Sequence, residues 1–168
     1  MIHIYTGNGK GKTTAAIGLA LRVLGWGKRV RLIQFLKQSP SGELVALARF
    51  ENCQLRQFGS HEFITRETAK ASDRKRAEEG LSWAEEAIHE KAADLIILDE
   101  INVALDMNLL SIDRVRDLIA ICPTEIELVL TGRGCPPEIS SLADYVSEIR
   151  EVKHPYQEGI QARKGIEF

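Results

Sequence analysis

Apolar residues recur along this chain in two rhythms, one every second position and one every third or fourth. IHIYT at 2–6 is β-branched and aromatic and predicts a strand running into a glycine-rich turn. TTAAIGLALRVLG after it has helical spacing and predicts a helix closed by Gly25. KRVRLIQF at 28–35 predicts a second strand, alternating at Val30, Leu32 and Gln34, and SPSG at 39–42 predicts a loop. The helix ELVALARF follows, and CQLRQF at 53–58 predicts a third strand. GSHEFITRET has no period and predicts a long loop, the kind of segment that often carries function on such a scaffold.

From Glu67 to Ala93 there is no proline, and Ala77, Leu81, Ala84 and Ile88 recur at spacings of 4, 3 and 4. That is the apolar stripe of a long helix whose other face is charged. DLIILDE at 94–100 is almost continuously apolar, as expected of a strand covered on both sides of a parallel sheet. Ser111 is placed to cap a helix through Ile112, Val115, Leu118 and Ile119, stopped by Pro123. EIELVLTG at 125–132 predicts another apolar strand, GRGCPPE a turn and EISSLA a short helix. YVSEIREVK at 145–153 is more polar and suits an edge strand. Strands separated by helices throughout predict an α/β fold with a mostly parallel sheet and right-handed crossovers. No repeat or linker interrupts the 168 residues, so a single domain over 1–168 is expected.

Charge narrows the choice of partner. Against 22 basic residues stand 24 acidic ones, for a net charge of −2, so no global attraction to nucleic acid or an anionic membrane is expected and any anion site must be local. Cys53, Cys122 and Cys135 are odd in number and form no CxxC pair, which argues against a disulfide framework and a zinc site and for reduced thiols in the cytoplasm. His3, His61, His89 and His154 lie far apart and are expected at surface or packed positions. With no run of about 18 apolar residues and no basic start before an apolar segment, neither a membrane span nor a targeting signal is expected.

The chemistry is concentrated in three short stretches. TGNGKGKT at 6–13 lies between the first strand and the first helix. Its glycines leave backbone N–H groups free to face one concavity, the helix start adds its positive end, and Lys12 adds a mobile cation. Thr13 supplies a hydroxyl suited to Mg²⁺. The spacing is that of the GxxxxGK[ST] phosphate loop with Thr6 in the first position, and it predicts binding of a nucleotide triphosphate, ATP above all. In LIILDE, Asp99 and Glu100 end an apolar strand and fall on the carboxyl edge of the sheet, where a carboxylate holds Mg²⁺ directly or through water. In LTGRG, Arg133 stands between two glycines after another apolar strand and reaches the same edge, with a side chain suited to phosphate.

TGNGKGKTTAAIG, VRLIQFLK, LDEINVAL, LTGRG, LADYVSEI and KGIEF, in this order over nearly the whole chain, resemble the P-loop corrinoid adenosyltransferases of cobamide synthesis. The threonine in the first loop position belongs to that family's pattern. The resemblance implies a three-layer RecA-like domain, usually a homodimer, that transfers the 5′-deoxyadenosyl group of ATP to the Co(I) of a corrinoid and releases triphosphate. It implies ATP with Mg²⁺, a corrinoid substrate and an electron-donating flavoprotein reductase as partner. Carried to this chain, Thr6, Gly7, Asn8, Gly9, Lys10, Gly11, Lys12, Thr13 and Thr14 cradle the phosphates, with Arg133 close to the nucleotide. Thr13 and Glu100 hold Mg²⁺ with Asp99 beside them, and Lys12 and Glu100 serve the reaction. In that family ATP lies along the loop in the reverse sense to P-loop hydrolases, which leaves C5′ open to cobalt.

The chain departs from the family's pattern in two places. Many relatives carry a helix before the first strand that covers the nucleotide, whereas here the strand begins at residue 2, so ATP is expected to be shielded differently. Relatives also often have FTWET where this chain has ITRET at 64–68, the aromatic pair displacing cobalt's lower ligand. Ile64 and Arg66 occupy those places here, and Phe63, one residue out of register, is the aromatic candidate for that task. The residues alone also admit a RecA-like ATPase, with Glu100 orienting water, or a corrinoid carrier regulated by ATP.

Overall fold

The computed structural model describes residues 1–62 and 64–167. Five strands follow the apolar runs closely: β1 (Ile2–Thr6), β2 (Val30–Phe35), β3 (Cys53–Phe58), β4 (Leu95–Asp99) and β5 (Glu127–Thr131), with β6 (Tyr145–Glu148) last. Every pairing is parallel, and the order across the sheet is β3-β2-β4-β5-β1-β6. β2 and β4 lie inside the sheet and are buried at every position, which explains their lack of alternation. β5 separates β1 from β4, the RecA-like arrangement in which the phosphate loop and the acid-bearing strand flank one intervening strand.

Helices cover both faces, giving the three layers expected. On one face α1 (Lys12–Gly25) and α2 (Gly42–Leu47) bury Ala16, Ala20, Leu24 and Leu47 against Val30, Leu32, Leu95, Ile97 and Val129. On the other, α3 (Ala71–His89), α4 (Ile101–Asp106), α5 (Ile112–Ile121) and α6 (Pro137–Ser140) enclose the larger core around Ile33, Phe35, Ile96, Leu98, Leu128 and Leu130. Each of the valine, leucine, isoleucine and phenylalanine side chains among them, once fully buried, contributes roughly 1.5–3 kcal/mol relative to exposure.

Several boundaries differ from expectation for local reasons. Helix α1 runs through Gly25, and the left-handed residue that closes it is Gly27, at φ 72°. Ser111 caps α5 as predicted, accepting the Arg114 N–H at 3.3 Å. Helix α4 was not anticipated. It starts because Glu100 adopts a left-handed φ of 65° and turns the chain sharply out of β4. Strand β6 stops at Glu148, short of the predicted residue 153, because Ile149 and Arg150 leave the sheet edge to cross the phosphate loop.

Helix α3 is shorter than the proline-free stretch and begins where Asp73 caps it. The carboxylate is 5% exposed and accepts the Lys70 backbone N–H at 2.8 Å and the Arg76 guanidinium at 2.6 Å. Burial works against its ionisation, but these donors outweigh burial and hold the carboxyl below its ordinary value. Asp73→Asn is expected to lower stability at neutral pH by about 1 kcal/mol, read from urea midpoints. With a depressed folded-state value, the contribution is complete above the unfolded-state aspartate value and is lost as pH falls through the folded one. The gap between the two proteins should therefore close below about pH 4; a pH-independent gap would take the charge out of the account.

Candidate functional site

The carboxyl ends of β1, β2, β4 and β5 meet over the start of α1, and the phosphate loop lies there. Gly7 has φ 94°, and a Cβ on it would lie 2.5 Å from the Ile149 carbonyl oxygen. At Gly9 the same atom would lie 2.7 Å from the Arg150 carbonyl group. The glycines at these two positions thus let a second stretch of backbone pack directly on the loop. That packing is hydrogen-bonded as well, with Gly9 N donating to Ile149 O at 2.7 Å and Ile149 N to Thr6 O at 2.8 Å.

Lys12 is 8% exposed and folds back so that its ammonium donates to Gly9 O at 2.8 Å. Burial pushes its pKa below the ordinary lysine value, and the nearby Glu100 carboxylate acts in the opposite direction. Thr13 donates its hydroxyl to Asp99 Oδ1 at 2.8 Å. Asp99 is completely buried and is the hub of the site. Its Oδ1 also accepts the Thr131 hydroxyl at 2.7 Å, and its Oδ2 accepts Gln34 Nε2 at 3.0 Å and the Lys37 ammonium at 3.2 Å. Four donors from β2, the segment after β2, α1 and β5 converge on one carboxylate, so these elements are tied together at the sheet edge.

Glu100 differs from its neighbour. Its backbone N–H donates to Thr131 Oγ1 at 3.0 Å, while its carboxylate accepts no hydrogen bond among the described residues. Burial first, then the adjacent Asp99 charge, raises its pKa above the ordinary glutamate value. Facing it across a cavity of about 300 Å³ are Gly9, Lys10, Gly11, Lys12, Thr13, Thr14 and the exposed Arg133. Lys37, His154, Ile166 and Glu167 complete the lining. Glu167 sits over the loop, held by Lys10 Nζ at 2.8 Å and by Arg163, and its carboxyl is pulled down to about 2 by the Arg163 bond first and the Lys10 bond second.

Most of the residues singled out in the sequence therefore meet at one place. Thr6, Gly7 and Asn8 form the base of the loop and stay outside the cavity lining. Phe63 lies outside the described residues. Ile64 packs against the larger core, and Arg66 is occupied by Asp106 at the end of α4, so neither side chain stands free. Sequence reasoning passed over Lys37, Gln34, Thr131 and Glu167. The first three sit on or just past the carboxyl ends of β2 and β5, and that position was the available signal.

A glycine-rich loop opening a helix, a buried lysine within it, and an acid pair ending a parallel strand two places away define a P-loop nucleotide-binding protein. Residues 1–168 match the family described as ATP:corrinoid adenosyltransferase BtuR/CobO/CobP, and the chain belongs to that family. It is 38% identical over 171 residues to the corrinoid adenosyltransferase of Pseudomonas aeruginosa, an alignment covering 100% of this chain and 83% of that protein. Identity to the corrinoid adenosyltransferase of Escherichia coli K12 is 35% over 170 residues, covering 100% and 85%. The corrinoid adenosyltransferase CobA of Salmonella typhimurium gives the same identity and coverage, 35% over 170 residues, 100% and 85%. Among the described residues no helix is long and apolar enough to cross a membrane.

Proposed function

We propose that this protein transfers the 5′-deoxyadenosyl group of ATP to the Co(I) centre of a corrinoid, cobalamin or cob(I)yrinic acid a,c-diamide, and releases triphosphate. The observation that carries this reading is the convergence of the phosphate loop, Glu100 and Arg133 on one cavity, in a chain that matches the family over residues 1–168. Co(I) supplies the electron pair of the new cobalt–carbon bond. The electrons of the broken C5′–O bond leave with triphosphate, and cobalt passes formally from Co(I) to Co(III). No proton has to be moved, so the task of the protein is to align the two centres and stabilise the departing charge. Lys10, Lys12 and Arg133 surround the cavity in which that charge would build.

Mg²⁺ fits the donors present. The Thr13 hydroxyl spends its proton on Asp99 and keeps its lone pairs, and the Glu100 carboxylate, which accepts no hydrogen bond among the described residues, is suited to ligate a hard cation. Thr13 and Glu100 would hold the ion, with Asp99 keeping Thr13 in place. The ion would supply positive charge against the triphosphate. Within this reading the protein works in the cytoplasm as a homodimer and draws Co(I) from an electron-donating flavoprotein reductase.

The deciding experiment incubates the purified protein with ATP, Mg²⁺ and chemically reduced cob(I)alamin or cob(I)inamide, follows the visible spectrum, and identifies the phosphate product. A cobalt–carbon bond and one inorganic triphosphate per turnover are expected. ADP and phosphate would identify an ATPase instead, and a single turnover without product release would identify a carrier.

A further inference from the structure

The segment after β2 is built at a cost to the backbone. Leu36 adopts φ 64°, a left-handed conformation that side chains other than glycine adopt rarely. Its backbone N–H donates to Phe58 O at 3.3 Å at the end of β3. Gly59, just beyond, packs so closely that a Cβ there would lie 2.2 Å from the Lys37 N atom. The result of this strained turn and tight contact is to carry Lys37 to the carboxyl edge of the sheet, where its ammonium reaches Asp99.

Lys37 lines the cavity over the phosphate loop and also a neighbouring cavity of about 280 Å³ bounded by Thr13, Thr14, Glu43 and Ile166. Its side chain is 37% exposed, and of its ammonium's three N–H donors one is engaged among the described residues, at Asp99. Asp99 does not depend on it for hydrogen bonds, because Thr13, Thr131 and Gln34 already supply three neutral donors to that carboxylate. Burial works to lower the Lys37 pKa, but Asp99 and Glu100 outweigh it and the net shift is upward, so the group is fully charged at neutral pH. Of the other cations around the cavity, Lys10 is paired with Glu167, Lys12 is bonded to Gly9 O, and Arg133 is exposed on the turn after β5. Among the described residues Lys37 is therefore a partly exposed cation with donors to spare on a flexible stem, lining the same cavity as the loop but borne by the segment after β2.

We propose that Lys37 is a second phosphate-binding cation of this site, reaching from the end of β2 to the triphosphate opposite Lys12 and stabilising it as it departs. The inference deepens the proposed function and rests on it for the identity of the anion. The triphosphate is gripped from two sides, by the loop of α1 and by the strained turn after β2.

Binding of inorganic tripolyphosphate in the presence of Mg²⁺, measured calorimetrically on the full chain, separates this role from a structural one. Lys37→Ala and Lys37→Gln are expected to weaken tripolyphosphate binding roughly 10- to 100-fold, with Lys37→Arg recovering most of the affinity. In the transfer assay the same variants should lower kcat and leave the corrinoid KM unchanged. If Lys37→Ala fails to fold, Lys37→Gln carries the test, since its amide still donates to Asp99. A lowered melting temperature with tripolyphosphate affinity within about twofold of wild type would reduce Lys37 to a partner of Asp99 and overturn the proposal. Weakened binding in the variants together with ADP as the wild-type product would keep Lys37 as a phosphate ligand and sink the transferase reading alone. Failure of the wild type to bind tripolyphosphate would overturn both.

Discussion

Lys12→Ala is expected to lower adenosyl transfer by about 10²- to 10³-fold in kcat while leaving the protein folded. The side chain is 8% exposed and its ammonium lies on Gly9 O, inside the loop that would hold the triphosphate. In the reaction the charge on that triphosphate grows as the C5′–O bond breaks, so a cation fixed beside it acts more strongly in the transition state than on bound ATP. Stability should change little, because removing a buried ammonium also removes the cost of keeping it out of water. Activity is to be measured with cob(I)alamin at saturating ATP, and the fold by thermal melting. Turnover close to wild type in a protein of unchanged melting temperature would contradict the assignment of the loop.

Asp99→Ala is expected to cost the fold itself about 3–5 kcal/mol, seen as a lower denaturant midpoint. The completely buried carboxylate accepts from Thr13, Thr131, Gln34 and Lys37, and the truncation strands all four donors, one of them charged. Asp99→Asn should be milder. Its amide oxygen can face Gln34 and Lys37 while its NH₂ turns to the two threonine hydroxyls, which are able to accept. Transfer activity is expected to fall in both variants, since each loosens the hold on Thr13. An Asp99→Ala protein as stable as wild type would show that the four bonds do not brace the sheet edge.

Several elements could be foreseen because a single physical signal determines each one. The apolar run LIILD could only be covered on both sides, and β4 is buried at all five positions. Ser111 declared the start of α5 by its cap. In the site, the loop spacing located Lys12 and Thr13, and the strand end located Asp99 and Glu100, because both signals are local in sequence. Helix α4 escaped notice since its 6 residues are too few to show a helical period, and it is set off by the left-handed Glu100, for which no residue preference gives warning. Lys37 and Gln34 escaped for another reason. Nothing near them in the chain indicates that β2 lies beside β4, and only that adjacency brings them to Asp99. Glu167 meets Lys10 across 157 positions, a contact no local pattern encodes.

The contact of Gly7 and Gly9 with Ile149 and Arg150 bears on the order in which the molecule becomes competent during synthesis. The ribosome makes the loop well before the strip that braces it, which follows about 140 residues later, as the distance from Gly9 to Ile149 requires. Domains begin to fold as they emerge, so over that interval the nascent chain carries the loop's glycines without the backbone that fixes their shape. A firm grip on nucleotide then arrives late and abruptly, when β6 joins the sheet beside β1, and truncated or prematurely released chains lack it.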